Sequence, residues 1–345
     1  MLTSLRPTRA DLTAPPVVAG LLSLLALMAV DVAAFRFAGA FGAAALVTSV
    51  LGRARQTVVT VAATEAALIA SGAWHGFLDS PEMLLRGGTA TAMCVMAVVS
   101  AYVRDERESH LARMTVIADT AQRALLRAAP EAIGSVGLAT RYVSATEGAA
   151  VGGDLYEVAA TPYGVRVIVG DVCGKGLDAV QTAAAVLGAF RQAAFTESDL
   201  AALARSIDQM VAREPADELF VTAIVGEFHD GSVHLVNCGH PSPVLVDPDP
   251  RALEGDDVTL PLGLGADPVV TEHPWHRGAR LLLFTDGLIE QRDRTGAFFP
   301  LTEHAAGLAS GTLDQALDTL VGALRRHGGR RITDDLALLL AENRA

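Results

Sequence analysis

The chain has 345 residues, 51% of them hydrophobic, and a formal net charge of −12 at pH 7. Residues 1–103 carry six basic and five acidic side chains and the remainder 21 and 34, so the charge divides as +1 and −13. With no Lys/Arg cluster, that acidic balance argues against a nucleic-acid partner. Cys94, Cys173 and Cys238 have neither pairing nor metal-ligand spacing, which argues against a disulfide framework and for a reducing compartment.

The first hundred residues hold four apolar stretches, Val17–Phe35, Phe37–Leu51, Val58–Ala73 and Gly87–Val103, the second of them short. About twenty apolar residues span a hydrocarbon core of about 30 Å, so an all-α transmembrane domain of about four helices is expected over 1–103. A signal peptide would be followed by soluble sequence, and here further apolar segments follow. Arg6 and Arg9, then Arg53 and Arg55, then Arg104, Arg107 and Arg113 alternate with the stretches. The positive-inside rule places all three clusters on the cytoplasmic side of the cell membrane, and with them the acidic C-terminal part. Asp31 reads as a loop residue marking the end of the first span, and the spans show no buried charge pair or broken-helix pattern of the kind a transporter uses.

Residues 104–130 contain no Gly and end at Pro130. Leu111, Met114, Ala118, Ala121 and Leu125 recur at helical spacing, a stripe that fits either a dimerising signalling helix or a helix lying on its own catalytic domain.

From 131 to 345 the sequence alternates β-branched runs with two helical patterns, 177–194 and 198–213. Strands are expected at Arg141–Glu147, Val165–Val169, Phe220–Phe228, Ser232–Asn237, Arg280–Thr285 and Leu336–Ala341, the third and fourth joined as a hairpin. Four aspartates lie at or beside strand ends: Asp154 in VGGD, Asp171 in GDVCGKG, Asp286 in FTDG and Asp334 in TDDL. Converging strand tips of this kind suit a hard divalent cation, although Asp and Gly also populate ordinary turns, so structural turns remain an alternative on these residues alone.

The ordered motifs VGGDLYEV, GDVCGKGLDAVQTAAAV, FVTAIVGEF, NCGHPSPVLV, PLGLG, LLLFTDGLIE and TDDLALLL resemble the SpoIIE-like (RsbU-like) branch of the PPM-type metal-dependent serine/threonine protein phosphatases, over about 120–342. The resemblance implies an α+β fold, an α-β-β-α sandwich, with a centre of two Mn²⁺ or Mg²⁺ ions. It implies Asp171 as the bridging ligand with the backbone carbonyl of Val172 beside it, Asp286 and Asp334 as further ligands, and Asp154 as a ligand or a support through water. A water activated between the two ions would attack a phosphoserine or phosphothreonine, on a partner that the resemblance makes a STAS-type anti-sigma-factor antagonist. A non-catalytic phosphatase-like receptor and a regulated membrane transporter are the rival readings.

Lys175 stands where many relatives carry histidine, and is expected either to hold substrate phosphate as a point charge or to cap its loop. His240 reads as a turn-stabilising residue rather than a catalytic one. Asp335 reads as a support for Asp334 or a cap, Glu290 as part of a helix start, and Cys173 as a poor nucleophile without a neighbouring base.

Overall fold

A computed structural model describes residues 11, 13–35, 38–76, 78–145, 152–214, 219–254, 259–329 and 332–345. Arg6, Arg9, Phe37 and Glu147, which enter the expectations above, lie outside the described residues. The chain divides into two compact units, Met1–Arg113 and Met114–Ala345.

The first unit is helical: α1 (Pro15–Val30), α2 (Gly42–Leu51), α3 (Ala54–His75) and the start of α4 (Pro81–Leu125). Among the described residues, three helical segments, Pro15–Ala33, Ala54–His75 and Pro81–Leu125, are long and apolar enough to cross a membrane. The expected second span is not one of them. Its helix has 10 residues, about 15 Å at 1.5 Å per residue and half a hydrocarbon core. The polar pattern is turned inside out relative to a water-soluble bundle. Thr48, Thr57, Thr60, Thr64 and Ser71 are buried, while Leu22, Leu25, Leu84, Leu85 and Val95 are exposed. Thr48 Oγ1 and Thr60 Oγ1 bond to each other at 2.8 Å and Thr57 Oγ1 donates to the Arg53 carbonyl, the arrangement that helices packing in lipid favour. Arg104 donates to the carbonyls of Ser49, Val50 and Gly52, and Ala54 N donates to Asp105 Oδ2 at 2.8 Å. The turn carrying Arg53 and Arg55 therefore lies at the same end of this unit as Arg104.

Asp31 is not a loop residue. It opens a π-helical turn, Asp31–Phe35, is 2% exposed, accepts from Ser71 Oγ at 2.5 Å and lies 3.3 Å from His75 Nε2. This is the buried charged cluster that the span sequences did not reveal, because its members come from the ends of different helices.

The second unit is the α-β-β-α sandwich. One sheet runs β1 (Ala132–Ile133), β2 (Val136–Val143), β11 (Leu336–Asn343), β10 (Arg280–Phe284), β7 (Val244–Asp247), β8 (Asp249–Ala252). The other runs β3 (Leu155–Thr161), β4 (Gly164–Val172), β5 (Val221–His229), β6 (Ser232–Cys238), β9 (Val270–Pro274). Every pairing is antiparallel. Helices α5 (Leu177–Thr196) and α6 (Leu200–Val211) cover the second sheet, and α7 (Leu301–Ala305) and α8 (Leu313–His327) cover the first.

The apolar run of β11 follows from this layering. Leu336, Leu338 and Leu340 join the core under α8, whereas Ala337, Leu339 and Ala341 join the core shared with the other sheet. Side chains alternate across a strand, so a strand buried on both faces loses its polar alternation. Asp199 caps α6 by accepting from Ala201 N and Ala202 N at 3.3 and 3.1 Å.

Several boundaries move. The strand expected at Arg141–Glu147 is β2, Val136–Val143, shifted towards the N-terminus. The linker helix is continuous with the preceding span and ends at Leu125 rather than at Pro130. Part of its apolar stripe is occupied at home: Ala118, Ala121 and Leu125 pack against Val180 of α5, whereas Leu111 is 66% exposed.

Candidate metal centre

Antiparallel pairing explains how the four aspartates reach one edge. Leu155, which follows Asp154, pairs with Gly170, which precedes Asp171, and the start of β11, just after Asp334–Asp335, runs beside the end of β10, just before Asp286. Two of the aspartates thus precede a strand and two lie at or past the end of one. In an antiparallel sheet both positions fall on the same side.

Two glycines permit the approach of these segments. A side chain at Gly153 would place its Cβ 2.7 Å from the carbonyl oxygen of Val172, and one at Gly287 would place it 2.0 Å from the carbonyl oxygen of Asp335. Neither contact is tolerable for a methyl group.

Asp154 is 3% exposed. Its Oδ2 accepts from Thr285 Oγ1 at 2.7 Å, and that hydroxyl oxygen accepts from Ala337 N at 2.9 Å. Thr285 therefore connects the VGGD loop, the TDG loop and β11 through one oxygen. The Asp154 carbonyl accepts from Nε2 of Gln122 at 3.1 Å; Gln122 is 1% exposed on α4. Asp335 organises the surrounding loops, as its carboxylate accepts from Tyr142 Oη at 3.1 Å, Ala145 N at 2.7 Å and Gly152 N at 2.6 Å.

The electrostatics are those of crowded carboxylates. Burial, and then the charge of Asp171, push the Asp154 carboxyl well above its ordinary value. Burial, then Asp286 and Asp334, push Asp171 up to about 7. Burial and Glu290 raise Asp286, with the Gly287 N–H and Lys175 opposing. Glu290 thus faces the centre electrostatically, beyond any role at a helix start. Lys175, the only lysine in the sequence, lies 3.7 Å from Asp334 Oδ2 and is 56% exposed. It leans over the acidic centre rather than simply closing its loop.

His240 is 6% exposed and joins the two sheets. Its Nε2 lies 3.0 Å from the carbonyl oxygen of Phe284, two residues before Asp286, and its Nδ1 lies 2.9 Å from Thr222 Oγ1, the cross-strand partner of Asp171. A carbonyl only accepts, so Nε2 carries the proton and Nδ1 accepts from the hydroxyl. Burial holds this imidazole down to about 4, so it is neutral at pH 7. Asn237 clamps the turn below it through both the nitrogen and the carbonyl of His240. The turn role is present, and a bridge between the sheets comes with it.

The donor set fits hard divalent cations: carboxylates and a carbonyl, with no thiolate and no free imidazole. Among the described residues, the one group of three side chains whose ligand atoms all lie within 4.8 Å of one another is instead Glu227, His229 and His234. There Glu227 is already committed to Arg166 and His229, each at 2.6 Å.

The family model of Stage II sporulation protein E (SpoIIE) matches residues 161–344. The chain belongs to the SpoIIE family. The match takes in Asp171, Asp286 and Asp334 and starts beyond Asp154. Among solved structures, the RsbU and RsbW domains of a Mycobacterium tuberculosis protein share 28% identity at a TM-score of 0.54, covering 61% of this chain and 60% of that one. The SiaA-PP2C domain of Pseudomonas aeruginosa gives a TM-score of 0.56 at 21% identity over 70% of this chain and 98% of that domain. The PP2C phosphatase domain of SpoIIE from Bacillus subtilis, with a fragment of its regulatory domain, gives 0.51 at 18% identity over 61% and 64%. The sandwich of this SpoIIE-family chain is thus the PP2C phosphatase fold, and the chain spans about 60% of the first of these neighbours.

Proposed function

We propose that the protein is a membrane-anchored, metal-dependent protein serine/threonine phosphatase, with a transmembrane domain over 1–103, a linker helix over 104–130 and a cytoplasmic catalytic domain over 131–345. The observation that carries the catalytic reading is the meeting of buried Asp154 and half-buried Asp171 in one carboxylate cluster at the edge of a PP2C fold. Like charges at this density are held together by cations. Asp171, Asp286, Asp334 and the Val172 carbonyl would hold two Mn²⁺ or Mg²⁺ ions, with Asp154 against one of them or behind a water. Bound there, the ions would neutralise phosphoryl oxygens and lower the pKa of water.

The chain's own residues do the rest. Thr285 fixes the Asp154 carboxylate, His240 sets the spacing between the Asp171 and Asp286 strands, and Asp335 holds the rim. Lys175 is placed to meet a substrate phosphate as a point charge once cations occupy the carboxylates it now approaches.

The substrate class is a phosphorylated STAS-type protein. The sequence resemblance implies it, and a neighbouring structure that joins RsbU and RsbW domains supports it. Inward hydroxyls, outward apolar side chains and basic residues gathered at one end of the helical unit support the membrane reading. The helical spacing of apolar residues in the linker is the sequence feature that supports a homodimer through this helix.

Incubating the full-length protein in detergent micelles with a phosphoserine-bearing STAS protein tests this. Phosphate release is expected with Mn²⁺ and not with chelator. Release that persists in chelator, or no release from any phosphoprotein, removes the reading.

A further inference from the structure

The helical unit holds a cavity of ≈150 Å³ at one end, lined in part by Met28, Asp31, Phe41, Ser71 and Trp74. A single water needs roughly 10–15 Å³, so this space admits a small organic molecule. Among the described residues that line it, the one charged group is Asp31, 2% exposed. Asp31 Oδ2 is engaged by Ser71 Oγ at 2.5 Å and by His75 Nε2 at 3.3 Å. Asp31 Oδ1 is also buried, and no group among the described residues donates to it. A buried carboxylate oxygen without a donor is costly, and a buried ionisable group among apolar helices marks a functional position. The carboxylate also opens the π-helical turn Asp31–Phe35, a distortion that is common at functional sites.

From this geometry we infer that the cavity is a binding site for a small organic cation, an ammonium whose charge meets Asp31 Oδ1 and whose alkyl groups lie against Phe41 and Trp74. Aromatic faces attract such cations, most strongly away from water. A divalent metal ion is the wrong guest, because among the lining residues only Asp31 and Ser71 offer side-chain oxygens and hard ions take six or more oxygen ligands. An anion would face the carboxylate directly. The cavity is formed by the C-terminal ends of α1 and α3 and the residue before α2, whereas the Arg53 and Arg104 positions mark the opposite ends of α3 and α2. On the membrane reading proposed above, that puts it on the extracytoplasmic side, where a stimulus would arrive.

The chain has two tryptophans, Trp74 and Trp275, so a Trp275→Phe protein in detergent micelles reports on the cavity alone. Titration with choline, against sodium chloride of equal ionic strength, is expected to give a saturable change in Trp74 fluorescence. The uncharged carbon isostere of choline is expected to give none, and Asp31→Asn to weaken binding at least about tenfold. Should Asp31→Asn fail to fold, Phe41→Leu keeps the cavity apolar and is expected to reduce the rise in unfolding temperature that choline gives the wild type. No saturable change, an equal response to the isostere, or full binding in both variants overturns the site. None of these readings depends on phosphatase activity, so loss of the catalytic assignment leaves the test intact.

Discussion

Among the buried aspartates of the described residues, Asp154 at 3% exposure and Asp31 at 2% illustrate opposite solutions. Asp154 lies in a crowd: Asp171, Asp286 and Asp335 all raise its proton affinity, and Thr285 supplies one hydrogen bond. Asp31 stands as a single carboxylate with a serine, a histidine and aromatic walls. The number of carboxylates sets the charge of the guest. Several together at the sheet edge call for divalent cations, and one alone among helices calls for a monovalent one.

Substitutions can break the comparison at either end. The largest effect is expected from Asp171→Asn, which removes the carboxylate proposed to bridge the ions. Loss of outer-shell partners already costs about 10–100-fold, so phosphate release is expected to fall by more than about 100-fold. Thr285→Val follows, at about 10–100-fold in Mn²⁺ affinity or activity, with Thr285→Ser close to wild type because it keeps the oxygen that joins Asp154 to β11. A Thr285→Val protein that binds Mn²⁺ normally shows the hydroxyl to be dispensable.

His240→Ala leaves the Thr222 hydroxyl and Phe284 carbonyl without their shared partner and is expected to cost about 1–3 kcal/mol in urea unfolding. Its pH signature has a definite sign. Because burial lowers the folded value from 6.5 to about 4, the imidazole's stability contribution is complete above pH 6.5 and is lost as pH falls towards 4. The variant's stability curve is expected to lack that fall.

Asp171 runs the other way. Its metal-free folded value is raised from 3.8 to about 7, so the folded state holds a proton more tightly than the unfolded one. Metal-free stability from this group declines as pH rises from 3.8 through 7, and Mn²⁺ affinity, which requires the carboxylate, climbs over the same interval. Equilibrium dialysis that finds Mn²⁺ affinity flat between pH 5 and 7 contradicts this. The smallest expected effect is at Lys175. As the sole lysine it takes a single ¹³C-methyl label on its side chain, whose NMR signal is expected to shift when Mg²⁺ is added, as the ammonium leaves Asp334.

The positions of Asp171 and Asp286 were legible in sequence because β4 and β10 are apolar apart from Arg166 and Arg280 and lead into glycine-flanked carboxylates. Leu336–Ala341 was legible as a strand for the same reason. The short strands Val244–Asp247, Asp249–Ala252 and Val270–Pro274 were not read, since they contain Pro or charge and lie towards sheet edges, where little periodicity survives. Helix Leu313–His327 was missed despite its Thr312/Gln315 capping box. The partners of the centre were hardest to see. Gln122, Thr285, Tyr142 and His240 act through bonds to residues far along the chain, and no local spacing encodes such contacts. Asp31 was misjudged for that reason too, as only the return of α3 brings Ser71 and His75 to it.

Counting ions tests the account most directly. Manganese bound per chain can be measured by electron paramagnetic resonance on the detergent-solubilised full-length protein, alongside Asp171→Asn, Asp286→Asn and Asp31→Asn. Two Mn²⁺ per chain are predicted in the wild type and in Asp31→Asn, with fewer than two in either of the other variants. Binding of two ions that survives Asp171→Asn, or that is lost in Asp31→Asn, would contradict a centre built on the sheet-edge carboxylates.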